Sequence, residues 1–183
     1  MVDFIKELLS FSTLLGDILI VALITYLVGY KVFNFKLKSL HNLLLKYGLL
    51  LAFLVALAST TGSLFYSEIA LYNPCKLCWF QRILMYPLVI ILGIALEKKY
   101  RTEVIRYATA LSAIGAVIAG YQYYLQRFGG SDTPCAAVGY SEACSKIFML
   151  DYEYITIPMM ALTAFVLIII FLFFAHLDQP KKV

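Results

Sequence analysis

The sequence predicts an all-α membrane protein with five spanning helices. Three observations carry that reading: the composition, the spacing of the apolar runs and the basic clusters between them. Of 183 residues, 62% are hydrophobic and 14% charged, with a mean hydropathy of +0.85. A soluble domain of this length has too little interior to hide so much apolar surface, so a lipid bilayer is the first partner implied. Apolar runs cover roughly Leu14 to Phe33, Tyr47 to Tyr66, Trp79 to Leu96, Val104 to Leu125 and Tyr154 to Phe174. Each is close to the roughly 20 residues that cross a bilayer core. The net charge of +4 is modest and its Lys and Arg sit in short clusters, not on a basic face with stacking aromatics, so no nucleic-acid partner is expected.

Ahead of the first run, Asp3 to Thr13 mixes charge with Phe4, Ile5, Leu8 and Leu9 on one helical stripe, which predicts an interfacial segment. The first run lacks a basic n-region and a small-residue cleavage site and is expected to be retained. Asp17 is expected near the outer end of that span, solvated by headgroups. Pro87 and Pro158 fall inside predicted spans and are expected to kink them, neighbouring helices satisfying the freed carbonyls.

Ten of the 15 basic residues lie between the first and second spans, between the third and fourth, and in the tail. They are Lys31, Lys36, Lys38, Lys46, Lys98, Lys99, Arg101, Arg106, Lys181 and Lys182. Under the positive-inside rule these segments are cytoplasmic, which puts the N-terminus outside and the C-terminus inside. The loops Ser67 to Cys78 and Gln126 to Glu153, which hold all four cysteines, then face outward. His41, in an inner loop, and His176, at the inner end of the fifth span, are too far away to join the cysteines. In the second outer loop, Gly129 to Pro134 is turn chemistry, and Ser145 to Leu150 is expected as a short helix resting on the membrane surface.

The cysteines are Cys75, Cys78, Cys135 and Cys144. Asn73 is a favoured N-cap and Pro74 suits a first turn, so a helix is expected to begin here with Cys75 in its first turn. The helix dipole there favours a thiolate. The spacings 75, 78 and 82 put both thiols and Arg82 on one helical face. The plainer reading is two structural disulfides on a membrane assembly subunit. A C-x-x-C ring is a poor staple, because closing so short a loop removes little unfolded-state entropy, whereas such pairs are used in thiol exchange. A zinc site is a weaker alternative, since C-x-x-C with C-x8-C is not the usual double knuckle and an outward location favours oxidation; no metal is expected. An inward-facing reductant carrier would want cysteines in the inner loops, and there are none. Arg82, just inside a span, either snorkels to the headgroups or stabilises a thiolate and a polar electron acceptor.

The block Pro74-Cys75-Lys76-Leu77-Cys78-Trp79-Phe80-Gln81-Arg82-Ile83-Leu84-Met85-Tyr86-Pro87-Leu88, together with Ile155-Thr156-Ile157-Pro158-Met159-Met160-Ala161-Leu162-Thr163-Ala164-Phe165, resembles the DsbB family, most closely its BdbC branch. The resemblance covers about Tyr47 to Phe174. It implies a four-helix transmembrane bundle plus one additional N-terminal transmembrane helix. The organisation is then 1–46 for the extra helix and basic loop, 47–176 for the core and 177–183 for a cytoplasmic tail.

The resemblance further implies a protein-dithiol:quinone oxidoreductase in a bacterial cell membrane that supports disulfide formation in exported proteins. A thioredoxin-fold, DsbA/BdbD-like dithiol partner would attack the Cys135–Cys144 disulfide. Cys144 would then exchange with Cys75, leaving Cys78 facing a quinone, either ubiquinone or menaquinone, with Arg82 supporting its binding. Proteins similar to vitamin K epoxide reductase place the C-x-x-C after the loop pair; here it comes first. Departures from the family pattern are the extra span, Gln81 where some members carry an acid, and the short Cys135 to Cys144 spacing.

Overall fold

The computed structural model describes residues 2–33, 38–97, 101–128 and 144–177. Five α-helices run through them: α1 (Val2–Phe33), α2 (Lys38–Leu64), α3 (Lys76–Ala95), α4 (Arg101–Phe128) and α5 (Ile157–Leu177). All five contain stretches long and apolar enough to cross a membrane, and the chain is an all-α membrane protein. α2 packs on α3, α3 on α4, α4 on α5 and α5 back on α2, which closes a four-helix ring, while α1 lies against α5 from outside it.

Position in this ring explains the composition of α5. It touches α1, α2 and α4, so almost no face meets lipid, and Phe165, Ile168, Leu172 and Phe174 are fully buried. A helix apolar all round is the expected result. Because lipid is as apolar as leucine, close packing and hydrogen bonds, not hydrophobicity, select helix partners in a bilayer. Small residues do this here. A Cβ on Gly48 of α2 would stand 2.7 Å from the Phe171 carbonyl oxygen of α5, and one on Gly115 of α4 would overlap the Phe165 ring.

Several expectations need correction. Residues 3–13 are the first turns of α1, a single 32-residue helix, and not a separate interfacial segment. At 1.5 Å per residue α1 is about 48 Å long, more than the roughly 30 Å of an apolar core. Asp17 also has protein partners: it accepts hydrogen bonds from Tyr154 Oη (3.0 Å) and Thr163 Oγ1 (2.6 Å). Pro158 kinks nothing. It is the second residue of α5, where no intrahelical N–H bond is lost, whereas α3 continues through Pro87. The fifth helix begins at Ile157, not at Tyr154. His41 belongs to α2, with its ring edge against Phe174 at 6.2 Å, while His176 is exposed at the end of α5. The tail from 178 lies outside the described residues.

Ser145 to Leu150 forms no helix. The chain there turns, and Asp151 and Ile155 pair across a tight reversal with N–H···O distances of 3.0 and 2.8 Å. Tyr152 and Glu153 adopt left-handed φ values of 49° and 65° to make it. At the end of α2 the backbone widens into a π-turn, Phe65–Ile69, which turns Tyr66 inward.

Candidate active site

α3 starts later than the capping residues suggest. Its N-cap is Cys75, in extended backbone, whose sulfur accepts the Cys78 N–H at 3.3 Å. Asn73 and Pro74 precede the helix. One turn on, Cys78 brings its sulfur to 3.0 Å from that of Cys75. Cys75 lies outside the span. Its contact with Cys78, and then burial, push its thiol well above the ordinary range. The physical reason is that one member of a close thiol pair must hold the proton it shares with the other.

A third cysteine joins them. Cys144 is buried in one cluster with Cys75 and Leu125, with Leu77 and Cys78 packed against it. Two contacts hold the Cys144 segment there. Phe148 stacks on Tyr72 (5.1 Å), which itself stacks on Tyr66 (5.9 Å), and Gln126 of α4 donates to the Lys146 carbonyl at 2.9 Å. The residues expected as a surface helix therefore fold back onto the C-x-x-C. Cys135 lies outside the described residues.

Gln122 of α4 was not singled out by the sequence reading, yet it organises the thiols. Its amide nitrogen donates to Cys75 Sγ at 3.1 Å and to Cys78 Sγ at 3.2 Å, while its carbonyl accepts from Gln81 Nε2 at 2.6 Å. Gln81 and Gln122 are both buried, so each amide supplies the partner the other would otherwise lack. The available signal was a pair of amides, Gln122 and Gln126, one turn apart near the end of an apolar helix. Their significance depends on the helix opposite.

Arg82 shares the α3 face with the cysteines as expected but turns toward α2. Its Nε donates to Ser63 Oγ and its Nη2 to the Ser63 carbonyl, both at 3.0 Å, and its guanidinium stands 5.5 Å from the Trp79 ring. Ser63 in turn lies 3.3 Å from Tyr86 Oη. The cation is thus anchored on a helix terminus and an aromatic face.

Cys75, Cys78, Gln81, Arg82 and Gln122 all line one cavity of about 290 Å³. The remaining wall is mostly apolar, with Met85, Tyr86, Met160 and Phe165 among its residues. Thr156 also lines it and carries a buried hydroxyl without a hydrogen-bond partner among the described residues. An apolar chamber with a few convergent donors beside two thiols suits a flat ring bearing carbonyl oxygens.

Comparison with known proteins places the chain among disulfide bond formation proteins. The model of the family described as Disulfide bond formation protein DsbB matches residues 46–177. Disulfide bond formation protein C of Bacillus subtilis (strain 168) is 45% identical over 123 residues, covering 66% of this chain and 86% of that protein. A probable disulfide formation protein C of Bacillus cereus is 40% identical, covering 67% of this chain and 87% of the relative. A probable disulfide formation protein of Oceanobacillus iheyensis is 38% identical, covering 79% and 96%. No solved structure matches the chain.

Proposed function

Because the chain belongs to the DsbB family of disulfide bond formation proteins, we propose that it reoxidises an extracytoplasmic thioredoxin-fold dithiol and passes the electrons to a membrane quinone. The redox loops face outward, the C-terminus is cytoplasmic, and residues 47–176 form the oxidising core. The observation that carries this reading is the convergence of Cys75, Cys78 and Cys144 with Arg82 and Gln122 at one apolar cavity.

The exchange steps balance as follows. A partner thiolate attacks Cys135 of a Cys135–Cys144 disulfide, forming a mixed disulfide and releasing Cys144 as thiolate. The partner's second thiol resolves the mixed disulfide, leaving oxidised partner and two reduced loop cysteines. Cys144, already packed against Cys75, attacks Cys75 of a Cys75–Cys78 disulfide and frees Cys78; Cys135 then resolves the Cys75–Cys144 bond. Two electrons have moved inward at each stage. A quinone, when bound, would supply the final two-electron, two-proton sink beside Cys78 and Arg82.

The chain's own side chains prepare that end point. Gln122 N–H groups stabilise negative charge on either sulfur of the C-x-x-C, Cys78 included when it leaves and donates as thiolate. Arg82, anchored by Ser63, supplies positive charge in the chamber for a developing oxyanion without having to be recruited. The mostly apolar walls lower the local dielectric, which strengthens both effects.

The test is quinol formation by purified protein given a reduced thioredoxin-fold dithiol. Wild type is expected to turn over, and both Cys78→Ser and Cys135→Ser to abolish turnover. Quinol production by Cys78→Ser at the wild-type rate would sink the proposal. A wild type that reduces neither a ubiquinone nor a menaquinone would favour a structural subunit with stapled outer loops.

A further inference from the structure

We infer that α1 is part of the electron-acceptor site: Leu9 and Thr13 form a wall of the cavity beside the C-x-x-C, so this helix helps decide which quinone fits. The inference rests on the quinone reading above and assigns a role to residues that lie outside the 46–177 family match.

Leu9, Ser12 and Thr13 line the same cavity as Cys75, Cys78 and Arg82. Leu9 closes against α2 at Gly62, where a Cβ would meet its two methyl carbons at 3.3 and 3.6 Å. Thr13 is nearly buried, and its hydroxyl donates to the Leu9 carbonyl at 2.9 Å. With that hydroxyl committed to its own helix, Thr13 contributes an apolar surface to the chamber.

α1 is held in place by contacts of two kinds. On α5, Gly16 sits so close that a Cβ would meet Thr163 Cγ2 at 2.9 Å, and Asp17 accepts from Thr163 and Tyr154. On the Cys144 side, Ser10 donates to Asp151, and the Lys6 ammonium lies 5.2 Å from the Tyr72 ring that stacks on Phe148. Small-residue approach and interhelical hydrogen bonds are the forces that position helices in lipid, so this register is specified and not incidental. The opposite face of α1, with Phe4, Phe11 and Ile18, is exposed. A helix with one face fixed on the bundle and the other free for lipid forms a lateral wall between chamber and bilayer.

The test uses the full chain in detergent with a reduced thioredoxin-fold dithiol as donor and decylubiquinone or menadione as acceptor. Leu9→Phe and Thr13→Phe narrow the chamber from the α1 side. Each is expected to raise the KM for decylubiquinone about tenfold, the scale on which small volume changes in apolar pockets discriminate ligands. The rate at which donor reduces the oxidised protein without quinone should not change. Quenching of Trp79, the chain's one tryptophan, by titrated quinone should shift to the same extent. Ile18→Phe, on the exposed face, is the control and should match wild type. Should the phenylalanine variants fail to fold, Leu9→Ala enlarges the chamber and should change the ratio of the two quinones' KM values. Unchanged KM and quenching midpoints in folded variants, or an unchanged ratio in Leu9→Ala, overturn the inference and leave the functional reading intact. A wild type that reduces neither quinone overturns both.

Discussion

The cysteine end of the bundle and its middle are built from the same apolar helices but held together by opposite means. At mid-bundle, α4 and α5 meet where Gly115 admits the Phe165 ring, and α2 meets α5 where Gly48 lies against the Phe171 carbonyl. At those two glycines the contact is one of shape. At the cysteine end, α3 meets α4 through Gln81, Gln122 and two sulfurs, and α3 meets α2 through Arg82 and Ser63. In hydrocarbon a polar group must find a partner, so each polar pair costs specificity of placement and gives back a fixed geometry. The difference teaches where this fold can tolerate change: packing sites should control stability, and polar sites should control rate.

Substitutions can break that division. Gln122→Leu removes both N–H···S contacts and strands the Gln81 amide. Losing hydrogen bonds to a charged group costs about 1.5–3 kcal/mol, so quinol formation should fall by about tenfold or more. A turnover assay with unchanged rate would show that the amide only fills space. Gly115→Leu should do the reverse, lowering stability by about 1–3 kcal/mol through overpacking against Phe165. Thermal unfolding in detergent checks this, and folded protein should still exchange with the donor at the wild-type rate. Arg82→Lys keeps the charge but loses the two-pronged hold on Ser63; a loss of about 1 kcal/mol corresponds to a KM for quinone raised about fivefold, with little change in unfolding temperature.

The smallest effect sharpens the picture within the thiol pair. Alkylation needs the thiolate, and Cys75 is pushed up by Cys78 and by burial. Iodoacetamide should therefore modify Cys75 slowly at neutral pH, faster only as pH rises above the ordinary thiol range. Cys78→Ser removes the leading cause and should speed the reaction. Mass spectrometry of the reduced protein after timed alkylation reports both rates, and a fast wild-type Cys75 would contradict the assigned proton.

Much of the architecture was legible before any coordinates. The bilayer sets helix length, so apolar runs located all five helices, although α1 starts well before its run, at Val2. C-x-x-C, aromatic pair, Gln81 and Arg82 were legible because they are local, three and four residues apart on one helix. Residues whose meaning depends on a facing helix were not. Gln122 is one amide in an apolar helix until α3 stands opposite it, and Asp17 reads as an interfacial acid until Tyr154 and Thr163 approach. Ser145 to Leu150 has the apolar content of a surface helix, but the stack of Phe148 on Tyr72 and the Asp151–Ile155 reversal draw it inward.

The sequence by itself determined an all-α membrane protein with paired cysteines near one bilayer face, since hydropathy and helical spacing act along a single segment. Tertiary structure alone decided that Cys144 packs on Cys75, that Gln122 grips both sulfurs of the C-x-x-C and that α1 lines the chamber. Those outcomes depend on which helix faces join across tens of residues, and in lipid that choice is made by close packing and hydrogen bonds that exist only once the helices have met.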